Sequence, residues 1–246
     1  MICIMFKKEK DVAERSRSLL KNKEIRKIKQ DILTQLPALN EDQISVLIPN
    51  KCQLEIVRLA SKTLVYMIQG VPYFYDENGR NNLFPTIFAL WKYPNILKSF
   101  VIHSPVSEFI LKGADLMLPG LAHTSGIENI KKGDKVSIRV AGNPQPIAVG
   151  YSLIDYTFIQ SYGLKGRAMS VSHVYGDYMW KMSISTVANS GYTLTRVHPI
   201  TSEEEIGQTL SLSLSSSLSV SLSLEDYPSL SLSTTSEIEK ERERER

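Results

Sequence analysis

Two glycines and a proline bracket a short apolar run near the middle of the chain, and this stretch constrains the fold more than any other. It reads Gly-Ala-Asp-Leu-Met-Leu-Pro-Gly-Leu over residues 113–121. Glycine and proline in these positions predict a tight turn, a short buried strand and a second turn. Asp115 is the only carboxylate in the run. We expect it to cap a turn or a backbone group rather than to act in catalysis.

The segment after this run predicts a series of short strands. Residues 135–140 alternate strictly, with valine and isoleucine on one face and lysine, serine and arginine on the other. Residues 146–153 are mostly apolar and contain Gly150, where we expect the strand to bend. Residues 168–175 predict another strand, and together these short strands favour a small closed β structure.

Two further elements flank these strands. Residues 105–112 predict a helix that begins after Ser104 as the N-cap and ends before Gly113. Residues 176–177, Gly-Asp, predict a two-residue hairpin turn, with residues 178–180 as the returning strand and Trp180 in the barrel core. The second half of the chain is therefore predicted to place one helix against a small barrel.

The first half of the chain combines helical and strand patterns. Residues 23–36 place isoleucines at spacings of three and four, which is typical of an amphipathic helix. Asn40 and Gln43 have the spacing of a capping box at the start of a second helix, which Pro49 ends. The remaining predicted elements are a meander of strands at 53–59, 63–69 and 73–75, and a third helix at 84–93.

The order of these motifs resembles the PUA domain, an RNA-binding pseudobarrel. The resemblance is carried by the helix, the run at 113–121, a basic loop with Gly-Asp, and the patterns VxIxV, PIAVG, GLKGRA and VxHxYGDxxW. The preceding stretches, Phe-Pro-Thr at 84–86 and Leu-Trp-Lys-Tyr-Pro at 90–94, narrow the resemblance to one family of PUA-containing proteins. From about Met5 to Met182 the chain resembles the N-terminal half of the ligatin family of translation initiation factors 2D. It is also similar to their shorter relatives, the malignant T-cell-amplified sequence proteins.

This resemblance implies an α+β fold in two domains. An N-terminal α/β pre-PUA domain is expected over residues 1–96, and a PUA-type β pseudobarrel over residues 97–185. Residues 186–246 follow as a low-complexity tail, in which serine and leucine alternate before a run of glutamate and arginine. A run without turns or varied side chains specifies no strand register, so we expect this tail to be disordered.

The resemblance also implies a function in translation initiation without catalysis. Members of the ligatin family bind RNA and the small ribosomal subunit, so the expected partners are the 40S subunit, ribosomal RNA and initiator tRNA. In that family, start-site recognition is associated with a C-terminal domain that has no counterpart in this sequence. We therefore also expect a partner protein that carries the start-site domain.

Three basic loops supply the candidate RNA contacts. By resemblance to the PUA pattern, the turn after the helix is expected to approach ribose or phosphate groups closely, which favours residues with small side chains. The candidates are Lys112, Gly113 and Ala114 after the helix, Lys131 and Lys132 in the second loop, and Lys165, Gly166 and Arg167 in the third. Each loop alone could equally be a solvated turn, and Lys112 could serve only to complement the negative end of its helix.

Charge is unevenly distributed along the chain, although the net charge is only +3. Residues 1–30 contain ten basic and four acidic residues, a local excess of six positive charges. Such an excess attracts polyanions in a salt-dependent way, but a solvated helix face would show the same pattern. Hydrophobic residues make up 42% of the chain, which is ordinary for a soluble globular protein and selects no catalytic class.

Motifs that carry catalytic chemistry are absent from the sequence. It contains no GxxxxGK[ST] phosphate loop, no GxSxG nucleophile elbow and no HExxH metal-binding motif. The four histidines stand singly, without metal-ligand spacing to either cysteine. His173 alternates with Met169 and Val171 on a predicted strand, so we expect a packed, hydrogen-bonded side chain. We therefore predict no enzyme activity, no cofactor and no metal.

The N-terminus and the cysteines bear on the compartment. Residues 1–6 are apolar but too short for a signal-peptide core or a membrane span, and basic residues follow them instead of preceding them. Cys3 and Cys52 form no CxxC motif, and we expect them to stay reduced. These features predict a cytoplasmic protein without a membrane partner.

Two other functions remain compatible with the sequence. PUA units often guide tRNA or ribosomal RNA to catalytic domains, so the chain could be an accessory subunit of an RNA-modifying enzyme. It could also be a protein-interaction scaffold on which the basic face is incidental. A steep dependence of binding on salt would favour RNA over the scaffold.

Overall fold

Two β-sheets, one from each half of the chain, dominate the computed structural model, which describes residues 6–183. Both sheets belong to one compact unit. The mixed helix and strand content of the described part confirms the predicted α+β class. The tail over residues 186–246, predicted to be disordered, lies outside the described residues.

The first sheet of the described chain is an antiparallel meander whose strands follow one another in sequence order. Its strands are β1 (Glu14–Leu19), β2 (Leu54–Leu59), β3 (Leu64–Ile68), β4 (Val71–Asp76) and β5 (Leu83–Pro85). Branched and aromatic side chains fill β2 to β4, and most of them are buried. The predicted meander is confirmed, and the sheet extends beyond it by β1 at one edge and β5 at the other.

The helices of the first half are α1 (Asn22–Gln35), α2 (Glu41–Leu47) and α3 (Ile87–Lys92). The predicted capping box of α2 is confirmed, because Asn40 Oδ1 accepts from the Gln43 amide at 2.8 Å and Gln43 Oε1 accepts from the Asn40 amide at 3.1 Å. The prediction of a helix from residue 84 is wrong at its start. Phe84 pairs with Tyr75 across the first sheet, so the chain is extended until Thr86.

The second sheet has the order β7-β11-β10-β9-β6-β8. Its strands are β6 (Lys98–Ile102), β7 (Leu116–Met117), β8 (Leu121–His123), β9 (Lys135–Val140), β10 (Pro146–Ser152) and β11 (Arg167–Val174). β6 runs parallel to β9, and the other neighbouring strands are antiparallel. The irregularity predicted at Gly150 is present as a shift in the register between β10 and β11.

The helices of the second half are α4 (Val106–Leu111), α5 (Tyr156–Tyr162) and α6 (Tyr178–Lys181). The prediction of a returning strand at 178–180 is wrong, because Asp177 caps a helix there: its Oδ1 accepts from the Trp180 amide at 2.9 Å. The other carboxylate oxygen of Asp177 lies 2.7 Å from Nδ1 of His173. His173 is fully buried, so its predicted packed and hydrogen-bonded state is confirmed.

Aromatic side chains join the two halves of the molecule. Trp180, predicted in the barrel core, instead stacks on Phe88 with ring centroids 4.0 Å apart and contacts the edge of Trp91 at 4.7 Å. The turn of α6 aims it away from the second sheet's core and towards α3. Tyr151 and Met179 of the second half are likewise buried in the core of the first half.

A buried polar network lies between the two sheets. Glu77 is fully buried and accepts hydrogen bonds from Tyr151 Oη at 2.9 Å and from Ser172 Oγ. Tyr75 Oη donates to Ser172 Oγ at 3.0 Å, and the Asn82 side-chain amide donates to Tyr151 Oη at 2.5 Å. Burial raises the pKa of Glu77, while the bonds from Ser172 and Tyr151 act in the opposite direction. The network ties the end of the first meander to β10 and β11.

The polar face of β9 completes this contact, which we call the inter-sheet interface. Lys135 Nζ donates to the Leu83 carbonyl at 2.7 Å and to Gln35 Oε1 at 2.9 Å. Arg139 Nη2 donates to the Pro94 carbonyl at 2.6 Å. Burial lowers the pKa of Lys135 to about 8, although the charge of Glu77 opposes this shift. The face of β9 that alternation marks as polar therefore packs against the first half of the chain.

Candidate RNA-binding surface

The turn after α4 has the geometry of a helix C-cap. Gly113 adopts a φ of +85°, in the left-handed region, and its amide donates to the Ile110 carbonyl at 2.8 Å. The Ala114 amide donates to the Phe109 carbonyl at 3.0 Å, which completes a Schellman motif. The cap alone thus requires glycine at position 113. Both amides are used inside the cap, and of these two residues Gly113 is buried and only Ala114 is exposed.

Lys112, the last residue before this glycine, has an exposed side chain that is already paired. Its Nζ lies 2.5 Å from Oε1 of Glu108, one helical turn earlier. The hydrogen bond from Lys112 lowers the pKa of Glu108. The positive charge of Lys112 is therefore partly compensated, although both partners are in solvent.

The loop at residues 163–167 contacts the turn after α4 directly. Arg167 lies opposite Met117 where β11 pairs with β7, and the Leu118 amide donates to the Gly166 carbonyl at 2.8 Å. Asp115 joins the two segments further: its Oδ2 lies 3.3 Å from Nη1 of Arg167, and its Oδ1 accepts from the Val171 amide at 3.1 Å. The backbone-capping role predicted for Asp115 is confirmed. The side chain of Lys165 is exposed, with no ion-pair partner in the described part of the chain.

The loop at residues 131–134 adjoins these two segments through a groove. The Lys131 amide donates to Oδ2 of Asp134 at 3.0 Å, and the Lys132 amide donates to Oδ1 of Asp155 at 2.8 Å, so two carboxylates fix the loop backbone. An open groove of about 470 Å³, which we call the outer groove, is lined by Lys132, Leu153, Ile154, Asp155, Phe158 and Arg167. Lys131 is exposed in the same loop but does not line the groove.

Exposed aromatic side chains stand beside the outer groove on α5. Phe158 and Tyr162 are 37% and 68% exposed, with ring centroids 4.9 Å apart. Exposed ring faces of this kind offer stacking surfaces to unpaired bases. Neither α5 nor this pair of rings was predicted from the sequence. The available signal was the pair of aromatic residues four positions apart, ahead of the glycine at 163.

Contacts connect the three predicted loops. Asp115 links the first loop to the third, and the outer groove links the third to Lys132 in the second. The described residues contain no group of three or more histidine, cysteine or carboxylate side chains placed to hold a metal ion. Within the same residues, no helix is long and apolar enough to cross a membrane. The assembled surface offers cations, rings and carbonyls, with one fixed carboxylate, Asp155, in the groove wall.

Two protein-family models match the chain. A Pre-PUA-like domain matches residues 6–94, and the family described as elF2D, PUA domain matches residues 97–178. Two solved structures have the same fold. A hypothetical protein from Pyrococcus horikoshii OT3 superposes with a TM-score of 0.55 at 21% identity, over 68% of this chain and 99% of that one. A conserved PUA domain protein from Thermoplasma acidophilum gives 0.52 at 20% identity, over 68% and 98%.

Curated relatives are named for translation. The chain is 37% identical over 172 residues to eukaryotic translation initiation factor 2D of Homo sapiens, and the match covers 68% of this chain and 29% of that protein. It is 28% identical over 184 residues to translation machinery-associated protein 20 of Saccharomyces cerevisiae, and the match covers 73% of this chain and 99% of that protein. The chain thus spans less than a third of the length of the human initiation factor, and nearly all of the yeast protein.

Proposed function

The chain belongs to the family that joins a Pre-PUA-like domain to the PUA domain of translation initiation factor 2D, and we propose that it binds RNA on the small ribosomal subunit during initiation. The PUA unit is an RNA-binding domain, and the relatives above are named for translation. The proposed division between the two domains lies near residue 96, with the PUA domain reaching residue 185. In this proposal the chain catalyses no reaction and acts in the cytoplasm.

The outer groove is the observation that carries this proposal. Lys132 and Arg167 line one groove, and Phe158 presents an exposed ring in its wall. Lysine and arginine bind phosphates, while an exposed ring stacks on a base without reading its identity. Ribosomal RNA and the end of initiator tRNA both present such backbone and unpaired bases. Lys165 extends the positive charge beyond the groove.

The turn after α4 is the second part of the proposed contact. Ala114 is exposed and has a small side chain, so a ribose could approach the turn at this residue, whereas Gly113 is buried beneath it. Because both amides are committed to the helix cap, we assign this turn a shape-complementary contact and assign phosphate binding to Lys112, Lys132, Lys165 and Arg167. Lys131 and Gly166 complete the proposed surface.

A protein partner is part of the proposal. The yeast relative is matched over 99% of its length, so a protein that consists of little more than this pair of domains exists among the relatives. We propose that the chain works with a protein that carries the start-site domain, which would supply the contact to the initiation codon.

Co-sedimentation of the full chain with purified 40S subunits at two salt concentrations tests the proposal. Neutralised phosphates release counterions, so bound protein should fall steeply as salt rises, with a log–log slope of roughly 0.7 to 0.9 per phosphate contact. The variant Lys132→Glu with Lys165→Glu should lose most of the binding. It leaves the pair of Arg167 with Asp115 intact, and so preserves the loop.

Reversal of the same number of charges elsewhere provides the control. Arg26 and Lys27 are exposed on α1. The variant Arg26→Glu with Lys27→Glu should co-sediment like the unmodified chain. If the Lys132 and Lys165 variant binds as tightly as this control, the outer groove is not the contact. Binding that is insensitive to salt would instead favour a protein-interaction scaffold.

A further inference from the structure

A second basic depression lies on the first sheet, and it shares no residue with the outer groove. Its volume is about 420 Å³. We call it the basic cleft, and its lining residues are Arg15, Ser16, Arg58, Leu59, Lys62, Leu64, Asn78 and Gly79. These residues come from β1, from the end of β2, the start of β3 and the turn between them, and from the loop between β4 and β5. Three of them are cationic, and none is acidic.

Backbone irregularities build the cleft. The pairing of β1 with β2 shifts register between Glu14 and Ser16, and Ser16 faces Arg58, so Arg15 occupies a bulge beside Arg58. A bulge of this kind re-aims a side chain at a sheet edge. Lys62 has a φ of +70° in the next turn, a conformation that is uncommon for a residue with a side chain.

The loop between β4 and β5 forms the opposite side of the cleft. Gly79 has a φ of +64°, and a Cβ built on it would lie 3.5 Å from the Lys62 carbonyl, so the two turns are in contact. The buried carboxylate of Asp76 holds this loop, because it accepts from the amides of Asn78, Arg80 and Asn81 at 3.3, 3.2 and 2.6 Å. Hydrogen bonds to Asp76 therefore hold the loop that forms this side of the cleft.

Three carboxylates on the strands that form the cleft are engaged elsewhere. Glu14 and Glu55 both bind Arg17, with oxygens 2.9 and 2.7 Å from its guanidinium nitrogens. Asp76 is 1% exposed and is occupied by backbone amides. Within residues 6–183, Arg15 and Arg58 have no ion-pair partner. Arg17 is thus paired with two carboxylates, whereas Arg15 and Arg58 stand without such a pair in the described part of the chain.

We propose that the basic cleft binds the phosphate backbone of RNA and gives the first domain an RNA contact of its own. Arginine presents a planar fork of N–H donors that matches phosphate oxygens, and Lys62 adds a third positive charge. Gly79 allows a backbone to approach, and Asn78 adds an amide donor. No aromatic ring lines the cleft, so it contacts phosphates and does not stack on bases. This contact extends the proposed RNA binding, but it depends on none of the residues of the outer groove.

Fluorescence anisotropy with a labelled RNA hairpin that has a single-stranded tail tests the cleft in the full chain. The variant Arg15→Glu with Arg58→Glu should bind roughly tenfold more weakly, and its salt slope should be smaller by about one to two. Both side chains are exposed, so its thermal unfolding should match that of the unmodified chain. The pair Arg26→Glu with Lys27→Glu makes the same change in net charge and should bind normally.

The outcomes separate this proposal from the one for the outer groove. If the cleft variant weakens binding and the variant Lys132→Glu with Lys165→Glu does not, the cleft proposal stands and the outer groove fails. If the cleft variant binds like the α1 control at every salt concentration, the cleft proposal is overturned. It is also overturned if inorganic phosphate displaces the labelled RNA from the chain as effectively as unlabelled RNA does at the same concentration of phosphate groups. That result would make the cleft a simple anion site.

Discussion

The inter-sheet interface and the outer groove contain the same types of residue in opposite states. In the interface, Glu77 is fully buried and accepts two hydrogen bonds, and Lys135 donates two. In the groove, Lys132 and Arg167 are exposed, and the ring of Phe158 is 37% exposed. The polar groups of the interface are hydrogen-bonded to other parts of the protein. Those of the groove are still exposed to water.

This difference separates stability from binding. A buried polar group stabilises a single arrangement, since moving the two sheets apart would leave donors and acceptors unpaired. An exposed cation adds little to stability but can release its hydration and counterions to a phosphate. Substitutions in the interface should therefore change the free energy of unfolding, and substitutions in the groove should change RNA affinity.

The largest effect is expected from Gly150→Ala, within β10 and close to the interface. A Cβ at this position would lie 2.0 Å from the Ser170 carbonyl oxygen and 3.0 Å from the Ser172 amide nitrogen. Backbone atoms cannot yield by rotation of a side chain, so β10 and β11 would have to separate. We expect the free energy of unfolding, measured in urea, to fall by about 3 kcal/mol or more.

A glycine on the exposed side of the molecule provides the matched control. Gly126 has a φ of +85°, but a Cβ there would have no heavy atom within 4 Å. Gly126→Ala should lose only about 1 kcal/mol, from backbone strain alone. Equal losses for Gly126→Ala and Gly150→Ala would show that steric exclusion at the interface is not what requires glycine.

Glu77→Ala is expected to have the next largest effect. It leaves Tyr151 Oη and Ser172 Oγ without their acceptor in a buried site, which should lower the free energy of unfolding by about 2 kcal/mol. RNA affinity per folded molecule should not change. A variant that unfolds normally but binds RNA weakly would contradict the division between interface and groove.

Glu77→Gln tests the same network through pH. Burial raises the pKa of Glu77 above its ordinary value of 4.5, so the folded chain holds this proton to a higher pH than the unfolded chain does. The resulting stabilisation is complete below pH 4.5 and is lost as pH rises through the folded-state pKa. Relative to Glu77→Gln, the unmodified chain should lose stability over that range in urea titrations. If the free energies of unfolding of the two proteins differed by the same amount at every pH, the pKa of Glu77 would not be raised by folding.

Lys135 should show a smaller effect at alkaline pH. Its pKa is about 8 in the folded chain against an ordinary 10.5, so folded molecules release this proton first. The unfolded state then binds more protons, and stability rises with pH between these two values. Compared with Lys135→Met, the unmodified chain should gain stability across that window. Lys132→Met, in the exposed loop, is the control, and the same relative gain for both variants would contradict a special state of Lys135.

Local pattern predicted much of this architecture. The amphipathic stripe of α1, the capping box of α2 and the alternation of β9 depend on neighbours a few residues apart, so the sequence carries them directly. The glycines and basic residues of the candidate loops are also local signals. The turn after α4 was predicted for this reason, with Gly113 in the left-handed region.

Features that depend on distant partners were not predicted. β1 reads Glu-Arg-Ser-Arg-Ser-Leu and is exposed along its length, so only its backbone pairing with β2 makes it a strand. Alternation marked Lys135 as polar but could not show that this face packs against Leu83. The helix at α6 arises because Asp177 caps it, and that cap turns Trp180 towards Phe88. The basic cleft was missed because Arg15, Lys62 and Gly79 meet only in the folded chain.

The smallest expected effect comes from Glu108→Gln, at the border of the proposed RNA-binding surface. Glu108 holds Nζ of Lys112 at 2.5 Å, and both side chains are about 70% exposed. Removal of the carboxylate should leave the unfolding transition nearly unchanged, because exposed ion pairs add little to stability. It also frees Lys112 for phosphate, so RNA affinity in anisotropy titrations should rise by about twofold. The control is Glu41→Gln at the exposed start of α2, which also removes one negative charge but lies far from Lys112 in the sequence. If both variants gain equally, the increase reflects net charge, and Lys112 is not an RNA contact.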